Sequence, residues 1–113
     1  MKKILNYRQS LNFFLKLVDL RLDEHDYLGA LDGARRAMTS AKTRLNIDSI
    51  NLVIGQIYYE MKLYTLSCEY FFRCIHIPET QASALLGVGM NLIKLKKYKL
   101  ALEYLKASSL APS

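Results

Sequence analysis

Chain breakers are scarce here: two prolines and five glycines in 113 residues, with no tryptophan. So few interruptions favour an all-helical chain over a turn-rich β fold. Cysteine is scarce as well. Cys68 and Cys74 are too few for a disulfide scaffold, and six positions apart on one helix they face different ways. A reducing, intracellular compartment is the expectation. No stretch approaches the roughly 18 apolar residues that a bilayer-spanning helix requires. Met1-Lys2-Lys3-Ile4-Leu5 imitates the start of a secretory signal, but Asn6, Arg8, Gln9, Asn12 and Lys16 interrupt the apolar run, and no small-residue cleavage site follows. A soluble, cytoplasmic protein is expected.

What is present has an ordinary globular balance, 51% hydrophobic and 23% charged. The length suits one domain with one continuous core. The net charge is +6 and uneven, with one excess over the first 44 residues and another at Lys94, Lys96, Lys97 and Lys99. These lysines surround an expected inter-helix turn. Such a cluster is ordinarily a solvated edge, and an anionic partner or nucleic acid is the alternative.

Apolar spacing predicts six helices, over about residues 10–22, 27–42, 48–61, 64–76, 79–95 and 98–109. Ser10 is a candidate N-cap for the first, and Asp48 or Ser49 for the third. Pro78 is expected to stop the fourth helix. The connections are short, so sequential helices should lie antiparallel. Much of the second half repeats. Gly55 and Gly89 lie 34 residues apart, Tyr64 returns as Tyr98, Ser67 as Ala101, Phe71 as Leu105 and Pro78 as Pro112. A fixed period of this size indicates stacked units, each too small to bury its own apolar face.

The repeat resembles the tetratricopeptide repeat (TPR), with the pattern W-x2-L-G-x2-Y, then A-x3-F, then P. The middle unit has Asn51, Ile54, Gly55 and Tyr58, then Ser67, Phe71 and Pro78 in that register. The last unit has Leu85, Val88, Gly89 and Leu92, then Ala101, Leu105 and Pro112. The first has Phe14, Leu17, Val18 and Arg21, then Ala30 and Ala34, with Tyr27 three residues before Ala30. The resemblance implies a single domain over residues 1–113, with units at about 10–44, 47–79 and 81–113. Its architecture would be an all-α, right-handed α-solenoid of three antiparallel helix pairs. Gly55 and Gly89 should admit the partner helix of their own unit. Val18 replaces the first unit's glycine, which implies a splayed helix pair. Tyr27 and Tyr64 are 37 apart, which implies three extra residues near 43–47.

The resemblance also implies a concave face lined by the first helix of each unit. Carried over by register, its partner-facing residues include Leu15, Asp19 and Leu22, then Leu52, Gln56 and Tyr59, then Leu86, Met90 and Ile93. Family members that grip acidic C-terminal tails use a basic clamp. Leu15, Asp19, Val53, Ser83 and Gly87 occupy those positions here, so that mode is not expected. An apolar stripe remains. It fits an amphipathic helix or extended apolar segment of another protein, unless the chain's own neighbours cover it. At the other end Leu102, Leu105 and Leu110 lack a covering helix, which implies a homodimer, a longer parent protein or a capping partner.

No catalytic constellation stands out, so a non-enzymatic protein is expected. Cys68, Cys74, His25 and His76 lack zinc-site spacing, and neither a metal nor another cofactor is anticipated. Asp19, Asp23, Glu24 and Asp26 border a turn with nothing to desolvate them. Gly29-x3-Gly33, in a helix that also carries Asp32, Arg35 and Arg36, suits close packing better than a membrane. The function expected is a protein–protein interaction module, an adaptor or chaperone-like scaffold. The alternatives are a nucleic-acid-associated protein that uses a basic edge, against which the apolar, partly acidic groove argues, and a regulatory fragment of a larger protein.

Overall fold

A computed structural model describes the backbone of residues 2–112 and the side chains of residues 10–112. Within these residues the chain is all-helical, with no strand. The helices are α1 (Lys2–Asp23), α2 (Tyr27–Ser40), α3 (Arg44–Glu60), α4 (Tyr64–Phe72), α5 (Pro78–Lys94) and α6 (Tyr98–Leu110). Each packs on its neighbours in sequence, and α3 also meets α5. The radius of gyration is 14.8 Å and the extents are 53 × 30 × 18 Å. A compact chain of this length would have a radius near about 13 Å, so the molecule is elongated.

Three turns share one geometry. His25, Lys62 and Lys96 adopt φ of 58°, 63° and 62°. The next amide in each case reaches back five residues: Asp26 to the Arg21 carbonyl (2.8 Å), Leu63 to Tyr58 (2.9 Å) and Lys97 to Leu92 (2.9 Å). The left-handed residue itself donates to Leu22, Tyr59 and Ile93 respectively. These are Schellman endings, which satisfy the last carbonyls of a helix and reverse the chain. A second recurrence lies 34 residues apart: Cys74 Sγ donates to the Asp48 carbonyl (3.2 Å), and Ser108 Oγ donates to Ala82 (2.8 Å).

Several boundaries differ from the sequence expectation. Helix α1 starts at Lys2, so Ser10 lies inside it and caps nothing. Residues 2–9 contain good helix formers and no breaker, so nothing halts the helix there. The cap of α3 is Thr43, whose hydroxyl accepts from the Asn46 amide at 3.1 Å. Asp48 is instead fully buried and accepts from Arg44 Nε at 3.2 Å. Since Thr43 and Ile77 both stand immediately before a helix and lie 34 residues apart, the three extra residues between Tyr27 and Tyr64, expected near 43–47, lie upstream of residue 43 instead. Helix α4 stops at Phe72, ahead of His76. Thr80 Oγ1 and Gln81 Nε2 take the carbonyls of Cys74 (2.7 Å) and Ile75 (3.1 Å) as acceptors, drawing them out of the helical ladder. Pro78 opens α5 as its first residue, where its missing N–H costs nothing.

The first helix pair is closely packed, contrary to the splay expected from Val18. The small residue has moved to the facing helix: a Cβ on Gly33 would lie 3.0 Å from Val18 Cγ2, and Val18 is buried. Ala30, Ala34, Ile50, Ile57 and Tyr58 continue this core across α2 and α3. A second core gathers Cys68, Phe71, Val88, Leu92 and Ala101 from α4, α5 and α6. A polar chain ties the helices together: Asn91 Nδ2 donates to Ser67 Oγ (2.9 Å) and to the Gly87 carbonyl (2.9 Å), while Ser67 Oγ donates to the Gly55 carbonyl (2.6 Å).

Candidate partner groove between α3 and α5

The Phe71 ring of α4 is wedged between two glycines on different helices. A Cβ on Gly55 of α3 would lie 3.0 Å from the ring, and one on Gly87 of α5 only 2.6 Å. Gly87 is therefore needed for the ring to sit between the helices, and Gly55 leaves the ring little room to give on the other side. Above it opens a cleft of about 430 Å³, floored by Phe71. Leu52, Val53, Gln56 and Tyr59 form the α3 wall, at spacings that place them along one side of a helix. Ser83, Leu86 and Met90 form the α5 wall, and Ser49 and Glu60 complete the rim.

Apolar groups dominate this lining, and Glu60 is its one charged side chain. Leu86 and Met90 are 46% and 37% exposed, although both belong to a helix with a well-buried opposite face. Tyr59 is steadied by an edge-to-face contact with Tyr64, with ring centroids 5.7 Å apart.

Five of the nine sequence-derived partner residues meet here: Leu52, Gln56, Tyr59, Leu86 and Met90. The other four lie outside the lining. Leu15 and Leu22 are half-buried and pack against the first core, whereas Asp19 is exposed on α1. Ile93 is exposed nearer the C-terminal end of α5. Sequence reasoning missed Phe71 as the floor and Gly87 as the residue that lets the floor form. The available signal was Phe71 midway between two glycines 32 positions apart, both on helices that pack together.

Conventional reactive groups are muted. Burial, with Asp48 nearby as a second cause, pushes the Cys74 thiol up to about 12, and burial also raises Cys68. Both thiols are free and buried, so neither presents a ready thiolate. Among the described residues no three His, Cys, Asp or Glu side chains gather as a metal site, and no helix is long and apolar enough to cross a membrane. Comparison with protein-family models, curated proteins and solved structures returns no match.

Proposed function

We propose that this chain is a non-enzymatic protein-interaction module that holds an apolar or amphipathic segment of another protein between α3 and α5. Its units would be tetratricopeptide-type repeats, three helix pairs wound into a right-handed superhelix. The recurring Schellman turns and the paired Cys74 and Ser108 contacts support that repeat reading. The functional reading is carried by the exposure of Leu86 and Met90 beside a cleft with an apolar floor. An apolar lining of this kind suits the apolar face of an amphipathic helix laid into a groove. The cleft carries Glu60 at its rim and no basic side chain in its lining, which favours a protein partner there over nucleic acid.

The test is binding of peptides selected against the wild-type chain from a displayed library, measured by fluorescence anisotropy. The Leu52→Glu/Met90→Glu double variant, checked for helicity by circular dichroism, is expected to lose about tenfold or more in affinity. Equal binding by both folded proteins would remove the cleft as the binding surface. A second reading, pairing of two copies through α6, has its own observation: Tyr98, Leu102 and Leu110 are exposed there. Light scattering decides it, since a monomer at all concentrations excludes that pairing.

A further inference from the structure

A separate pocket of about 370 Å³ opens where α2, α3 and α4 meet. Arg35 and Arg73 flank it, Met38, Ile54 and Tyr70 supply apolar surface, and Asn51 borders it from α3. Asn51 is the anomaly. It stands at the position in the repeat that Phe14 and Leu85 occupy in the other units, and it is only 7% exposed. Its side-chain amide makes no hydrogen bond among the described residues, although Nδ2 of the other buried asparagine, Asn91, makes two. Among the described residues the fully buried polar side-chain atoms without a partner are Asp48 Oδ1 and Asn91 Oδ1, so the Asn51 amide atoms still reach solvent and are free to bond a group bound in the pocket.

The neighbouring charges select what that partner carries. Arg36 is held by Asp32 at 3.0 Å and Arg44 by Asp48 at 3.2 Å. Arg35 and Arg73 form no ion pair among the described residues, and no carboxylate lines the pocket. Arg73 stacks over the Tyr70 ring at 4.1 Å from its centroid, which holds its guanidinium at the pocket edge. Guanidinium groups stay charged at all ordinary pH and present paired donors suited to phosphate oxygens. An asparagine amide offers one donor and one acceptor side by side, which complements the edge of a nucleobase. Met38 and Ile54 supply surface for a flat ring. From this combination we propose that the pocket is a second binding site, distinct from the cleft, for a small organic phosphate of nucleoside monophosphate type. Its volume lies within the range of about 300–1,000 Å³ common to small-molecule sites.

The purified chain would be titrated with adenosine monophosphate, and separately with inorganic phosphate, with adenosine and with a tetraglutamate peptide, by calorimetry and amide NMR. Saturable binding of the nucleotide is expected, tighter than either of its halves, with shifts centred on Asn51, Tyr70 and Arg73. Asn51→Leu should keep or raise the melting temperature, because leucine occupies the same position one unit later, and should weaken the nucleotide by about tenfold. Arg35→Gln/Arg73→Gln should weaken it at least as much, whereas Leu52→Glu/Met90→Glu should leave it unchanged and so separate this site from the cleft. Absence of saturable binding at millimolar nucleotide, or equal affinity in wild type and variants, would overturn the proposal. So would phosphate alone or tetraglutamate binding as tightly as the nucleotide.

Discussion

Gly87 is the residue on which the cleft depends most directly. Its missing Cβ would intrude 2.6 Å from a ring that Gly55 already confines on the opposite side, so Phe71 has nowhere to move. Gly87→Ala is expected to destabilise the fold by about 1–3 kcal/mol, and Gly55→Ala by less, in urea denaturation. Phe71→Leu in the Gly87→Ala background should recover part of the loss. At Cys74 the prediction concerns pH. The ordinary thiol value is 9.0 and the folded value is about 12, so above pH 9 the unfolded chain releases a proton that the folded chain keeps. The folded state then binds more protons, and the stability contributed by this group falls as pH rises through that window. Cys74→Ser should flatten the decline, and serine is suited to the site because Ser108 makes the equivalent contact.

Among the elements, the turns show what local sequence determines and what it does not. Tyr27, Tyr64 and Tyr98 located all three turns, because each follows a fixed distance behind a Schellman ending. None of the left-handed residues is glycine, and a side chain with a Cβ carries a penalty there. Lys96→Gly is therefore expected to stabilise the protein by about 1 kcal/mol, read as a shift in denaturation midpoint. The end of α4 was not legible, because bonds from Thr80 and Gln81 on the next helix decide it. Likewise Asp48 resembled a cap by type, yet Thr43 already fills that role and the chain buries Asp48 against Arg44. The α3 and α5 walls of the cleft could be read from the register that the repeat resemblance carries over. Its floor could not, since Phe71 comes from α4 and its position rests on a glycine of α5.

Across the whole molecule, protection is uneven. Helix α6 has Ala101 as its one fully buried residue, while Leu110 is 85% exposed. Helices α3 and α5 each bury several residues and are joined through Ser67 and Asn91. Hydrogen exchange on the isolated chain should accordingly be fastest in α6 and slowest in the middles of α3 and α5. Protection of α6 that rises with protein concentration would indicate pairing through that helix. The wedged ring has a consequence for selectivity. Because Phe71 touches backbone on both flanks, the groove cannot deepen to receive a bulkier guest. Leu86 and Met90, on the open wall, can change rotamer. The cleft is thus a gauge of thickness: tolerant of side-chain shape along its sides, and intolerant of anything that must press through its base.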